Sequence, residues 1–320
     1  MVGSTAALML AVLTGLPSVV RGASYGLTDS YIGSGFFSGF TFMTISDPTH
    51  GRVQYVSQSA AQSANLTSTS SNTFTMRVDS TTTLSASGAG RKSIRIQSKK
   101  QYTTHVAIMD VRHMPEGCGT WPAFWEVGSN WPFNGELDII EGVNNLGPNL
   151  SSLHTSSNCT MSGTRTMKGT ATFNDCNVEN GANSNQGCGV KGDSQRDFGP
   201  AFNSAGGGWF AAERTNSQIR TWFWSRADTR VPAEVKNGSG SINTSNWSTP
   251  TTLFTSNSCN LASHFGPHNI IINTSLCGDW AGGSSYGQAG CPSSCVNYVN
   301  TNPKAFANAY WDIAALRVYT

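Results

Sequence analysis

Beyond residue 22 the sequence holds no amphipathic helical run longer than about three turns. It breaks instead into short runs rich in β-branched and aromatic residues, separated by clusters of Gly, Ser, Asn and Thr. Such runs favour a pleated, packed surface, and such separators favour turns, so the chain is predicted to be built from sheets. Candidate strands are Thr73–Asp79, Ser93–Ser98, Thr103–His113, Leu137–Glu141, Gln218–Ser225, Asn269–Thr274 and Tyr310–Val318. In Ser93-Ile94-Arg95-Ile96-Gln97 apolar and polar residues alternate strictly, the pattern of an antiparallel strand with one wet face. One short helix is expected over Asn302–Ala309. Many short strands with frequent turns predict an all-β sandwich or barrel. With neither an internal repeat nor a linker, residues 23–320 are expected to form one domain. The polar stretch Cys159–Pro200, with three cysteines, is expected to be a long cross-linked loop.

Residues 1–22 read as a secretory leader. The apolar run Ala6–Leu16 is too short to span a bilayer, and Gly22–Ala23 is a plausible cleavage point. Secretion suits the eight cysteines, an even set that disulfides can use, although eight allow 105 pairings and the sequence does not choose among them. It also suits the glycosylation sequons at Asn65, Asn149, Asn158, Asn237, Asn243, Asn246 and Asn273, not all of which are expected to carry glycan. Only 12% of residues are charged and the net charge is +2, so neither nucleic acid nor an anionic membrane is an expected partner. A neutral polyhydroxylated ligand with flat apolar faces suits a chain with nine Trp, about half of which should be core.

The stretch Gly135-Glu136-Leu137-Asp138-Ile139-Ile140-Glu141 places three carboxylates among three large aliphatic residues. On a regular strand Glu136 and Asp138 face one way, and Leu137 and Ile139 face the core. Glu141 then points the wrong way, because its offset from Glu136 is odd. A single β-bulge near Ile139–Ile140 corrects the parity and brings all three acids to one face. Crowded acids destabilise a chain unless they serve a purpose. A carboxylate pair about 5–5.5 Å apart is what a retaining glycosidase requires. Glu136 would attack the anomeric carbon, and Glu141 would protonate the leaving oxygen and then deprotonate water. The pKa of Glu141 should be raised by its acidic neighbours, and Asp138 would hold the attacking oxygen. A solvated acidic edge or a Ca²⁺ loop is the competing reading, and the aliphatic interleaving argues against both.

These residues resemble the signature of glycoside hydrolase family 16. So do Gly117-Cys118-Gly119-Thr120-Trp121-Pro122-Ala123-Phe124-Trp125 upstream, and Cys277-Gly278-Asp279-Trp280-Ala281-Gly282 and Ala309-Tyr310-Trp311-Asp312-Ile313 downstream. The likeness runs from about Tyr25 to Thr320 and is greatest to the secreted, laminarinase-like endo-1,3(4)-β-glucanases of basidiomycete fungi. It implies a concanavalin-like β-jelly-roll sandwich with a concave substrate cleft. It also implies the order nucleophile, helper, acid/base for Glu136, Asp138 and Glu141. Arg95, Trp125, Trp131, His154 and Trp280 are the implied substrate-binding residues.

Each has a physical rationale. The indoles of Trp125 and Trp131 offer sugar C–H bonds an apolar platform, and Trp280 sits in a Gly-rich turn where exposure is favoured. His154 lies 13 residues beyond Glu141, on what should be the neighbouring strand. Arg95 faces away from Ile94 and Ile96 and can donate to hydroxyls. Glu213 and Arg214 are weaker candidates and are set aside. Gly283-Ser284-Ser285-Tyr286-Gly287 fits a serine-hydrolase elbow in letters only, since an elbow needs a strand before it and a helix after it.

The expected activity is hydrolysis of β-1,3 and mixed β-1,3/1,4 glucans by a monomeric enzyme with β-glucan as its partner. No cofactor or metal is expected. A cell-wall transglycosylase of the same fold and a non-catalytic glucan-binding module are the alternatives. The second would be expected to lack the carboxylates.

Overall fold

The computed structural model describes residues 23–320. The expected leader, residues 1–22, lies outside them. Two antiparallel sheets pack face to face. The first has eight strands in the order Thr170–Phe173, Cys188–Lys191, Leu150–His154, Glu136–Glu141, Thr120–Gly128, His268–Leu276, Arg95–Tyr102, Phe40–Phe42. The second has nine strands and is centred on Tyr310–Tyr319 and His105–His113, followed by Gly208–Arg214, Gln218–Ser225 and Thr252–Thr255. This is the all-β jelly-roll sandwich expected.

The core lies between the sheets. Ile96, Phe124, Leu137, Leu153, Ile270 and Ile272 of the first sheet meet Phe74, Met109, Val111, Phe210, Ile313 and Leu316 of the second. The far face of the second sheet is also covered, with Val106, Ile108, Trp209, Trp222 and Trp224 packing under Val235, Ile242 and Trp247. Every residue of Gly208–Arg214 is therefore buried, and no polar alternation marks that strand in the sequence. The far face of the first sheet is the one left open.

Most predicted strands are present with shifted ends, and Gln218–Ser225 has the bounds expected. Three expectations need correction. Cys159–Pro200 is not all loop, because Thr170–Phe173 and Cys188–Lys191 form the edge of the first sheet. The helix lies earlier than expected, at Cys295–Thr301, and only a 3₁₀ turn, Pro303–Phe306, falls within 302–309. The stretch at Gly283 is rejected on partly different grounds, since a short helix, Ser284–Gln288, does form but another helix rather than a strand precedes it.

All eight cysteines pair, as Cys118–Cys291, Cys159–Cys259, Cys176–Cys188 and Cys277–Cys295. Cys188 is opposite Leu153, so the Cys176–Cys188 bridge secures the strand beside His154. Two bridges staple the 277–306 segment, where Tyr286, Val299 and Phe306 pack around Cys277 and Cys295. The fully buried Arg91 binds that segment to the sandwich by donating to the Val299 carbonyl at 2.6 Å.

Two of the seven sequon asparagines, Asn149 and Asn273, are each only 5% exposed, whereas Asn65, Asn158, Asn237 and Asn246 are exposed. Glycopeptide mapping of active protein from a eukaryotic secretory host should therefore find Asn149 and Asn273 bare. Glycan on either one in active enzyme would contradict the packing described.

Candidate active site

The open face of the first sheet takes its character from one irregularity. Glu136, Leu137 and Asp138 lie opposite Val127, Glu126 and Trp125 of the neighbouring strand. The register then slips, so that Ile140 faces Phe124 and Glu141 faces Ala123, leaving Ile139 unmatched. This is the parity change anticipated from the spacing of the acids. Residues directly opposite one another share a face, so Glu136, Asp138 and Glu141 stand on the same side as Trp125 and Ala123. Leu137, Ile139 and Ile140 are completely buried in the core. On the other flank Glu136 lies opposite His154 and Asp138 opposite Ser152. The entry to the strand is fixed as well. Gly135 has φ +75°, and a Cβ there would come within 2.7 Å of the His264 carbonyl. His268 donates from Nε2 to the Asn134 carbonyl at 2.6 Å.

Burial and mutual repulsion hold protons on these acids. Glu136 is pushed up to about 8, first by loss of solvent and then by the Asp138 charge. Glu141 is raised to about 8 by the same two causes, opposed by the Trp121 indole, which donates to Oε1 at 2.9 Å. Asp138, 2% exposed, is raised to about 7 by burial, opposed by a hydrogen bond with Glu136. At neutral pH the trio therefore carries fewer than three charges. His154 Nε2 lies 3.0 Å from Asp138 Oδ2, a close contact without hydrogen-bond alignment. Glu136, Asp138 and His154 offer donor atoms within 4.8 Å of one another, a spacing that a cation would accept and that a shared proton also explains.

Aromatic and amide groups line the same face. Trp125 donates to Asn273 Oδ1 at 2.7 Å, and the Asn273 amide reaches the Tyr55 hydroxyl at 3.4 Å. Arg95, opposite Asn273, stacks its guanidinium 4.9 Å from the Trp125 ring centroid. Trp280 meets Trp121 edge-on at 5.6 Å. Trp131 is 43% exposed in the loop that leads into the acid strand. Five of the nine Trp are buried, and the other four are Trp121, Trp125, Trp131 and Trp280. Trp121, Tyr55, Asn149 and Asn273 were not anticipated at the site. Trp121 was legible, because its offset of four from Trp125 on one strand puts both on one face. The other three depend on contacts distant in sequence. Glu213, set aside earlier, binds Arg220, Tyr25 and Thr244 on the second sheet.

A row of carboxylates flanked by indoles on the open face of a jelly-roll sandwich is the architecture of a polysaccharide-cleaving glycoside hydrolase. Comparison with known proteins sharpens this. Residues 40–319 match the XgeA-like catalytic domain of glycoside hydrolase family 16. Laminarinase 16A of Phanerochaete chrysosporium, solved with 6-O-glucosyl-laminaritriose in both donor and acceptor sites, superposes with a TM-score of 0.92. It is 56% identical, over 93% of this chain and all of that one. An elongating family 16 β-1,3-glucosyltransferase superposes with a TM-score of 0.85 at 38% identity, over 92% of this chain and all of that one. A probable endo-1,3(4)-β-glucanase of Aspergillus clavatus is 42% identical over 99% of this chain but only 50% of its own length. A probable glycosidase of Schizosaccharomyces pombe is 42% identical over 93% of this chain and 70% of its own. The chain thus spans about half the length of the Aspergillus relative. It belongs to glycoside hydrolase family 16.

The raised carboxyls have a consequence for stability. An unfolded Glu136 releases its proton near 4.5, and the folded one only near 8. Between those values ionisation favours the unfolded chain, so this group makes stability fall as pH rises. Glu136→Gln should therefore raise Tm at pH 7 by roughly 2–4 °C and leave it unchanged at pH 4. Thermal melts of both proteins at the two pH values test this, and a lower Tm for the variant at pH 7 would contradict it.

Proposed function

We propose that the chain is a secreted, monomeric, retaining endo-β-1,3(4)-glucanase, with Glu136 as nucleophile and Glu141 as acid/base. The observation that carries this reading is the common face of Glu136 and Glu141 on either side of the buried Asp138. Glu136 and Asp138 share a hydrogen bond. Attack proceeds from the form in which that proton has passed to Asp138, Glu141 keeps its own, and the one charge of the trio lies on Glu136. The anion then resides on the attacking oxygen. Glu136 forms a bond to the anomeric carbon as the glycosidic bond breaks, and the Glu141 proton passes to the leaving oxygen. Glu141, now ionised, takes a proton from water as water displaces Glu136. The Trp121 indole N–H, hydrogen-bonded to Glu141, also stabilises the carboxylate formed between the two steps.

The substrate class follows from the face itself and from the 56% identity to laminarinase 16A. Trp125 and Trp131 present apolar platforms for sugar rings, with Trp280 behind Trp121. Arg95, His154 and the Asn273 amide supply polar contacts. Arg95 Nε, Ser152 Oγ and His154 Nδ1 are buried on this face without a hydrogen-bond partner among the described residues. Four disulfides favour an oxidising, extracellular setting, and among the described residues no helix is long and apolar enough to cross a membrane.

Transfer to a sugar acceptor is the second reading, favoured by the 38% identity to the elongating glucosyltransferase. Incubation with laminarin should release short laminari-oligosaccharides from internal bonds, and Glu136→Gln should lower that rate by roughly 10³-fold or more. Normal activity in the variant would overturn the nucleophile assignment. Products longer than the substrate when acceptor is added would favour transfer.

A further inference from the structure

We propose that Asn149 is a positioning residue for Glu141, clamping the bulge so that the acid/base carboxyl stays aimed into the cleft. The inference rests on the reading of Glu141 as acid/base.

The register of the sheet creates the need for a clamp. The Leu150–His154 strand pairs with the acid strand at residues 136, 137 and 138 and no further. The bulge leaves the Ile139 carbonyl and the Glu141 N–H beyond that pairing, in a buried setting where unpaired backbone groups are costly. One primary amide serves both. Asn149 Nδ2 donates to the Ile139 carbonyl at 2.9 Å, and Asn149 Oδ1 accepts from the Glu141 N–H at 3.0 Å. The side chain thus stands in for the missing peptide unit of the neighbouring strand, bracketing Ile140. Ser151 adds a second donor to the Ile139 carbonyl at 3.1 Å.

Asn149 is itself held. Its backbone N–H donates to Asp197 Oδ1 at 2.9 Å, and its carbonyl accepts from the Gly192 N–H at 2.8 Å. Asp197 is 1% exposed, and a Cβ at Gly192 would come within 1.8 Å of its other oxygen. The Phe198 ring closes over Gly142, where a Cβ would lie 2.5 Å from it. Glu141 is consequently anchored at its backbone by Asn149 and at its carboxyl by Trp121. Glu136 precedes the bulge and is set by ordinary pairing with Val127 and His154. Loss of the clamp should therefore impair proton transfer and spare nucleophilic attack.

That split is measurable. A laminari-oligosaccharide needs its leaving oxygen protonated, whereas a 2,4-dinitrophenyl β-laminaribioside does not. The values of kcat/KM on both substrates would be compared for Asn149→Ala, Asn149→Asp and, as reference, Glu141→Gln. The aspartate is near-isosteric and keeps the acceptor for Glu141 N–H while losing the donor, so it remains informative if the alanine variant folds poorly. Glu141→Gln should lose roughly 10²–10⁴-fold on the oligosaccharide and far less on the aryl glycoside. Asn149→Ala should lose roughly 10²-fold on the oligosaccharide but less than about threefold on the aryl glycoside, with Asn149→Asp showing the same split at smaller size. Equal losses on both substrates, or no loss on either, would overturn the positioning role. If Glu141→Gln itself lacks the split, the acid/base assignment falls, and this inference with it.

Discussion

Ile139 has no residue opposite it on the neighbouring strand, and the arrangement of the cleft depends on that mismatch. A sheet side chain has a period of two, so one extra residue exchanges faces for everything that follows. Here the exchange brings Glu141 to the face that Glu136 and Asp138 already occupy, while Leu137, Ile139 and Ile140 all remain in the core. The sandwich can carry such an irregularity because the residues around it are held elsewhere. Phe124 and Leu153 pack on either flank, and buried amide and hydroxyl groups satisfy the displaced backbone.

Concentrating acids on a largely dry surface opposes folding, and the structure counters this in two ways. Protons remain on the carboxyls well above their ordinary range. Donors are also supplied at chosen oxygens, as Trp121 does for Glu141. The same two features suit acid/base chemistry, in which one carboxyl must begin protonated and another must accept. Stability is made up at a distance, in the inter-sheet core, the tryptophan cluster behind the second sheet and four disulfides.

The sequence disclosed much of this, and its gaps have physical causes. Alternation marked residues 93–97 as strand, but the face expected to be wet is largely dry, with Ser93 1% and Arg95 8% exposed beneath the groups that line the site. Alternation could not mark Gly208–Arg214, which is covered on both sides and reads as unbroken burial. The strands within Cys159–Pro200 were hidden by composition, since Thr170–Phe173 is a wholly exposed edge strand. At the site, the spacing of Glu136, Asp138 and Glu141 forced the bulge into view, and Trp125 and His154 do lie on the strands flanking the acids. Asn149 read as a glycosylation sequon, because its contacts with Ile139 and Glu141 depend on a strand register that composition does not encode. Tyr55 and Asn273, 218 residues apart, meet only in the folded chain.

The most direct test of the account is a crystal structure of the Glu136→Gln protein with a laminari-oligosaccharide spanning the cleft. The account predicts one scissile bond with residue 136 beneath the anomeric carbon and the Glu141 carboxyl within hydrogen-bond reach of the glycosidic oxygen. A sugar chain bound elsewhere, or residues 136 and 141 turned to opposite faces of the sheet, would contradict it.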